Sequence, residues 1–258
     1  MPEGDSIHRN AAQLRPLLIG KPLVAVYQRG LAIPRLAGAT VTAIEPRGKH
    51  LLIETDHGVV AHIHLGINGR WRRAPRPLPD EWPLRRADLA FVTAEDVLFC
   101  RARTVELIRT AFVKSHPALQ ALGPDLLAAE VDLDDVVARA RRGESARPIA
   151  DVLLDQEVAA GIGNIYKNET LFLEKTDPRT PVRDLDDDGL KRLYARAREL
   201  LRMSVGERRH RLWVYRRRGR PCYACQTTIA GELIMPLARQ TFWCPRCQPP
   251  PRSAVPTP

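Results

Sequence analysis

Residues 155–172 read DQEVAAGIGNIYKNETLF. Gly161 and Gly163 break the stretch between two segments of helical texture, 148–156 and 165–173. Glycine tolerates a tight turn and a close backbone approach. The stretch is therefore read as a helix, a glycine turn and a second helix opened by Asn164. This unit fixes the texture around it. Upstream, 131–142 begins at an acidic turn and stops at Gly143, as a helix does. Downstream, 185–205 is the longest amphipathic helix, with Leu190, Leu193, Tyr194, Ala197, Leu200 and Leu201 on one stripe. The C-terminal half is helical.

Further toward the C-terminus a basic segment, 208–220, is interleaved with Trp213 and Tyr215. It runs into Cys222-Tyr-Ala-Cys225, and after 18 residues into Cys244-Pro-Arg-Cys247. Paired CxxC units at this spacing predict a two-knuckle zinc ribbon. Four thiolates leave no open position on the ion, so one structural zinc is expected, with Cys222, Cys225, Cys244 and Cys247 as ligands. Segments 227–229 and 241–243 are the expected hairpin strands. A closed site of this kind disfavours a metallo-hydrolase. The Pro-rich tail from Pro249 is expected to be disordered.

The N-terminal half has a different texture. A first helix is expected over 3–19, with Asp5 and Ser6 available as caps and Gly20 ending it. From 22 to 112 short apolar runs alternate with Gly, Pro and charge: 23–27, 40–44, 51–54, 59–64, 89–93 and 97–99. This is the pattern of a sandwich or barrel. Asp56-His57-Gly58 reads as a hairpin turn, and the four prolines of 74–83 as a loop. Cys100, in the run Val97-Leu98-Phe99-Cys100, reads as a small buried hydrophobe. No repeat of period 20–50 is present.

The chain carries 40 Lys plus Arg against 30 Asp plus Glu, a formal net charge of +10. Most of the positive charge is Arg, whose planar fork suits phosphate. A nucleic acid or another anionic surface is the expected partner, although a solubility charge looks the same. No apolar run approaches the ~18 residues of a membrane span, and no secretory leader is seen. A cytoplasmic protein is expected. At the start, Met1-Pro2-Glu3-Gly4-Asp5 offers one more signal. Removal of Met1 exposes the secondary amine of Pro2. An α-amino group titrates near ~7.7–8.0, so it is partly neutral and nucleophilic at physiological pH. Such amines form Schiff bases, and Glu3 is placed to move protons. Read from the residues alone, a solvated chain end is the more ordinary outcome.

Three pieces in this order, the Pro2-Glu3-Gly4-Asp5 start, the glycine-turn unit and the four cysteines with Arg239-Gln240-Thr241-Phe242, resemble the formamidopyrimidine-DNA glycosylase / endonuclease VIII family. The resemblance covers nearly the whole chain apart from the proline loop and the tail. It implies an α+β multidomain fold: an N-terminal β-sandwich with an N-terminal helix, then a helix-two-turn-helix domain carrying a zinc-ribbon hairpin. The expected boundaries are a catalytic sandwich over 1–113, a linker over 114–125, a helix-two-turn-helix DNA-binding domain over 126–207, a zinc finger over 208–248 and the tail over 249–258. A DNA cleft is expected between the two halves.

The resemblance also implies roles. Pro2 is the nucleophile that attacks the sugar C1′ of a damaged nucleotide, and the strand then breaks by β- and δ-elimination. Glu3 protonates the sugar ring oxygen as the base leaves. Lys49, in Arg47-Gly48-Lys49-His50, is a hairpin lysine that holds a phosphate or moves protons; without the match it reads as a surface lysine. Asn164 opens a helix whose free N–H groups face DNA, and an ordinary N-cap serves equally. Gly163 permits the close approach. Arg239 at the hairpin tip binds phosphate, although by itself it reads as a solvated loop charge. His64 resembles a histidine near the DNA backbone, or is a satisfied strand histidine. Ile67 stands where a wedge residue fills the gap left by a flipped base, or is a core strand residue. The implied partner is damaged double-stranded DNA, bound by a monomer at the bacterial nucleoid.

The Pro-Glu-Gly start leans toward the endonuclease VIII side and oxidised pyrimidines. Departures are visible. Ser6 stands where a second acid is usual, with Asp5 as a substitute. Ile67 replaces the usual Met or Leu. Arg103-Thr104 lacks the aromatic of an Arg-Phe pair, and Ala150 stands in place of a common Lys. The competing reading is a zinc-ribbon DNA-binding protein of the same architecture without catalysis.

Overall fold

The first helix shows how the N-terminal part is assembled. α1 (Gly4–Leu18) places Ile7, Ala11, Leu14 and Leu18 at steps of three and four, and all four are buried. That stripe faces the sheet beneath it. The N-cap is Glu3, whose carbonyl accepts from the N–H groups of Ser6 and Ile7. Asp5 and Ser6, expected as caps, lie inside the first turn instead; there the Asp5 charge suits the positive end of the helix. Gly20 takes φ +75° just beyond the C-cap, Ile19.

The computed structural model describes residues 2–206 and 211–250, with the side chains of 82 and 83 left aside. Met1, residues 207–210 at the start of the basic segment and 251–258 of the expected tail lie outside the described residues. The chain divides into two units, Met1–Gln120 and Ala121–Pro258.

The first unit continues with β1 (Ala25–Gln28), β2 (Leu31–Ala32), β3 (Val41–Arg47), β4 (His50–Thr55), β5 (Val59–His64), β6 (Arg70–Pro75), α2 (Trp82–Arg86), β7 (Leu89–Val92), β8 (Asp96–Arg101), β9 (Thr104–Arg109) and α3 (Pro117–Gln120). Two antiparallel sheets form, ordered β2-β1-β7-β8-β6 and β3-β4-β5-β9. Val26, Phe91 and Leu98 of one sheet meet Leu51, Ile53, Ile63 and Val105 of the other, with α1 closing the same core. The expected sandwich is present. Cys100 is fully buried in that core, and burial pushes its thiol up.

β7 and β8 read as unbroken apolar runs because both faces of their sheet are covered. Ala90, Val92, Val97 and Phe99 pack outward against Leu78 and Leu84. Residues 74–83 are therefore less of a loop than expected: β6 runs through Pro75, and α2 begins at Trp82. β6 is an edge strand, where proline removes no ladder hydrogen bond.

The second unit holds α4 (Leu133–Arg141), α5 (Ile149–Val152), α6 (Asn164–Leu173), α7 (Asp187–Val205) and a hairpin of β10 (Ala230–Ile234) and β11 (Arg239–Trp243). Asp132 and Asp186 cap α4 and α7 with their carboxylates. The α7 stripe named above is buried throughout. The helix expected over 148–156 shrinks to α5. It ends at Val152 with Leu153 as its C-cap; beyond it, the Gln156 amide donates to Leu154 O and Ile162 O and accepts from Gly161 N, tying up the glycine turn. The first hairpin strand is displaced from the expected 227–229 to β10, since Thr227 O accepts from Cys222 N and closes the first knuckle. Among the described residues no helix is long and apolar enough to cross a membrane.

Candidate active site and nucleic-acid-binding elements

In the first unit, the chain start and the β3–β4 turn carry the candidate reactive groups. Glu3 is fully buried beside half-buried Pro2. Burying a carboxylate is costly, and the N-terminus of α1 offsets part of that cost by favouring an anion. Asp5 is also buried. Arg9 pairs with it at 2.8 Å, and Ser6 Oγ donates to it at 3.3 Å. Asp5 thus forms an ion pair with Arg9 within the first turns of α1.

Lys49 occupies the two-residue turn that joins Arg47 to His50. Gly48 takes φ +55° there, a conformation glycine adopts without strain. His64 ends β5 opposite His50. Burial and then Lys49 and Arg103 hold His64 below the ordinary imidazole range. After β5 the chain turns through Gly66-Ile67-Asn68-Gly69. A Cβ on Gly69 would lie 2.1 Å from Leu65 O, so only glycine fits. Ile67 is 60% exposed, which excludes its reading as a core strand residue. It lines an open pocket of about 600 Å³ with Arg70, Asp88, Arg101 and Arg103.

In the second unit, Gly163 is the N-cap of α6 and offers no side-chain bond. Asn164 is thus the first helical residue, not the cap. Its Nδ2 donates to Gln240 O at 2.9 Å, fastening the helix start to the hairpin. Two neighbours also reach the hairpin, and a third holds the segment before it. Lys167 Nζ donates to Thr241 Oγ1 at 2.7 Å, and Asn168 Oδ1 accepts from Phe242 N at 2.7 Å. The Glu169 carboxylate accepts from Trp213, Val214 and Tyr215 N–H at 2.6, 3.1 and 2.8 Å. Burial pushes the Glu169 carboxyl up. These three residues were not singled out from the sequence, where they read as an ordinary polar helix face; charged types inside a helix flanked by apolar residues were the available signal.

The four cysteines converge. Cys225 Sγ lies 3.4 Å from Cys244 Sγ and 3.4 Å from Cys247 Sγ, and Cys222 Sγ 3.9 Å from Cys247 Sγ. Disulfides need ~2.05 Å, whereas four thiolates around one ion at ~2.3 Å stand roughly 3.8 Å apart. The quartet fits a tetrahedral metal. The Thr227 hydroxyl and N–H pull the Cys225 thiol down to about 6. Arg239 begins β11 at the exposed hairpin tip, beside exposed Leu233, Met235 and Leu237.

A histidine group near Lys49 was also missed. His50 Nδ1 and His62 Nε2 are 2.8 Å apart. His62 Nδ1 and His116 Nε2 lie 2.8 and 3.1 Å from Glu106 Oε2. Burial, then His64, His62, His116 and Lys49, lower His50 to about 3. Burial lowers His62 against the pull of Glu106. The signal was the recurrence of His at alternate positions in one strand; β9, which brings Glu106, was not recognised.

Residues 1–108 match the formamidopyrimidine-DNA glycosylase N-terminal domain, and residues 122–212 the formamidopyrimidine-DNA glycosylase H2TH domain. The chain is 35% identical to the probable endonuclease 8 2 of Streptomyces coelicolor, with 96% of this chain and 94% of that protein covered. It is 36% identical to the DNA-(apurinic or apyrimidinic site) lyase Nei2 of Mycolicibacterium smegmatis, over 96% of this chain and 99% of that protein. A crystal structure of the Lactococcus lactis formamidopyrimidine-DNA glycosylase non-covalently bound to DNA containing an abasic site aligns at TM-score 0.83 and 25% identity, covering 96% of this chain and 100% of that one.

Proposed function

The chain belongs to the formamidopyrimidine-DNA glycosylase family, and from that premise we propose that it removes oxidised pyrimidines from damaged double-stranded DNA through a Schiff base on Pro2. Membership makes it a DNA glycosylase and abasic-site lyase of base-excision repair. The lesion, the nucleophile and the order of steps are the proposal.

The observation that carries it is the buried Glu3 carboxylate adjoining Pro2 at the head of α1. The Pro2 nitrogen, as a free secondary amine, attacks C1′ of the damaged nucleotide. Glu3 protonates the ring oxygen as the base leaves, and the iminium on Pro2 makes the C2′ proton acidic. Its removal drives β-elimination, and a second elimination completes strand cleavage. Lys49, on its hairpin turn, holds a phosphate or relays protons at the lesion. Ile67 enters the gap left by the extruded base; flipping costs a few kcal/mol of unstacking, and an apolar wedge offsets part of that. The N–H groups of Gly163, Asn164 and their neighbours at the start of α6 form an anion site. Arg239 clamps a phosphate, and His64 is placed to contact the backbone. One zinc ion on the cysteine quartet would fix the hairpin that carries Arg239. We place the protein in the cytoplasm, acting on the nucleoid as a monomer. The endonuclease 8 names of its relatives accord with the lean of the Pro-Glu-Gly start toward that side of the family.

Borohydride trapping on oligonucleotides carrying an oxidised pyrimidine, an 8-oxopurine or an abasic site tests this reading, with the adduct mapped by mass spectrometry. The adduct is expected at Pro2 and strongest with the oxidised pyrimidine or abasic site. No adduct on any substrate, with Met1 verified as removed and zinc present, leaves the DNA-binding reading instead.

A further inference from the structure

One face of the four-stranded sheet carries a cluster of which the reaction above uses only His64. His62 pairs directly with Glu106, and His50 with His64, across adjacent strands. The register therefore brings His50, His62, His64 and Glu106 onto the face opposite the core. His116, from the segment after β9, covers them and also reaches Glu106.

The hydrogen bonds fix the tautomers. An ionised carboxylate only accepts. His62 Nδ1, 2.8 Å from Glu106 Oε2, must then carry a proton. A neutral His62 has its lone pair on Nε2. His50 Nδ1, 2.8 Å from that atom, is the donor. The remaining lone pair of the chain is on His50 Nε2, one residue from Lys49. A metal ion is the competing account, since ligand atoms of His62, Glu106 and His116 lie within 4.8 Å of one another. The spacings of 2.8 and 3.1 Å to one shared oxygen are hydrogen-bond lengths, and the protons account for them without an ion.

We propose that Glu106, His62 and His50 form a proton relay that serves Lys49. The inference rests on the reading of Lys49 as a proton-moving residue. One proton arrives at His50 Nε2 from the Lys49 side. The His50 Nδ1 proton passes to His62 Nε2, and the His62 Nδ1 proton passes to the Glu106 carboxylate. One proton enters, one reaches Glu106, and no imidazolium remains. The Glu106 side chain is 46% exposed while that of His62 is 2% exposed, so of these two groups Glu106 is the one that can pass the proton to water. The same steps reversed deliver a proton to Lys49. The charged and titratable groups facing His50 are Lys49, His62, His64 and His116, with Arg103 beside His64. Glu106 is the anion bonded to His62; on the same face, Arg47 of β3 pairs with His50 and Glu45 with Leu52. Burial and these neighbours keep His50 free of a stored proton at neutral pH, as a conductor requires. None of the three touches DNA in this scheme; they are positioning residues for Lys49.

The test uses zinc-loaded full-length protein and single-turnover cleavage of an abasic-site duplex across pH. Glu106→Gln keeps an acceptor for His62 but removes the proton sink. It is expected to slow cleavage by about tenfold, on the scale of lost outer-layer partners of a catalytic group. Its pH profile should shift while DNA affinity stays unchanged. His50→Ala is expected to lose a similar factor and to regain rate with added imidazole. A wild-type pH profile in Glu106→Gln overturns the relay. So does a His50→Ala variant that melts like wild type but ignores imidazole. If His50→Ala does not fold, Glu106→Gln carries the test alone. Lys49→Ala separates the two readings. Its cleaving at the wild-type rate removes the role of Lys49 itself, whereas its loss of activity beside an unaffected Glu106→Gln removes only the relay. Two metal ions per chain on elemental analysis also overturn the relay in favour of a metal site.

Discussion

At His50 a single residue couples its surroundings to pH. Its imidazole is neutral in the folded chain and held down to about 3, first by burial and then by His64, His62, His116 and Lys49. His62 and His64 are lowered too, both chiefly by burial. In the unfolded chain each titrates near ~6.5. Between those values the unfolded state binds more protons, so stability rises with pH across the window. The stabilisation is full above about 6.5 and is lost as pH falls toward about 3. Denaturation followed from pH 7 to pH 4 in protein without added metal should show unfolding accompanied by uptake of about one proton or more. His50→Gln removes the largest contributor and should flatten that slope. An unchanged slope in a folded His50→Gln protein would place the acid sensitivity elsewhere. These histidines were poorly legible because their effect depends on register. One strand showed His at alternate positions, but the carboxylate that orients His62 arrives on β9, 44 residues further along the chain.

Among the elements, α6 is legible in the sequence as a helix but only in part as a surface. Its boundaries follow local chemistry: the glycine turn precedes it, and apolar residues recur along it. The burial of Lys167, Asn168 and Glu169 does not follow from local chemistry. Each is buried by chain that lies 44 to 74 residues further on, through Trp213–Tyr215, Thr241 and Phe242. A polar helix face and a polar docking face look the same in sequence. Glu169→Ala therefore tests the docking. Three backbone N–H groups lose their acceptor inside the protein, and each buried unsatisfied donor costs about 1–3 kcal/mol. A net loss of about 2–4 kcal/mol is expected by urea denaturation, since water reaches part of the gap. A change under about 0.5 kcal/mol would mean that the segment after α7 is not held by this carboxylate. The cysteine quartet is the opposite case, because fixed CxxC spacing announces convergence without any tertiary information. Cys244→Ala should lose bound metal on elemental analysis and leave β11, with Arg239, poorly anchored. Retained stoichiometry would exclude Cys244 as a ligand.

On the scale of the whole molecule, what the sequence made plain were features with a period, a fixed spacing or clear punctuation: the stripe of α7, the short apolar runs between turn residues in the sandwich, and the cysteine pairs. Charge was the least specific signal. A net charge of +10 predicts an anionic partner but does not say which arginines meet it, and many are engaged internally. Arg141 bonds Val182 O, Leu185 O and Asp187, and Arg198 bonds the carbonyls of Leu126, Ala128 and Ala129. Arg239, by contrast, is exposed at the hairpin tip. Net charge is therefore the wrong quantity to compare with DNA affinity, and the number of phosphates neutralised is the right one. Each contact adds roughly −0.9 to the slope of log affinity against log salt on duplex DNA. For about six to ten contacts, affinity should fall about 10³–10⁵-fold between roughly 50 and 200 mM salt. Arg239→Ala should shrink the slope by about one contact and weaken binding of damaged and undamaged duplex alike, because phosphate carries no sequence information. Arg198→Ala should leave the slope unchanged while lowering stability, since its guanidinium already serves three carbonyls. If Arg239→Ala kept the wild-type slope, the hairpin arginine would not be a phosphate clamp, and the basic character of the chain would have to act through other residues.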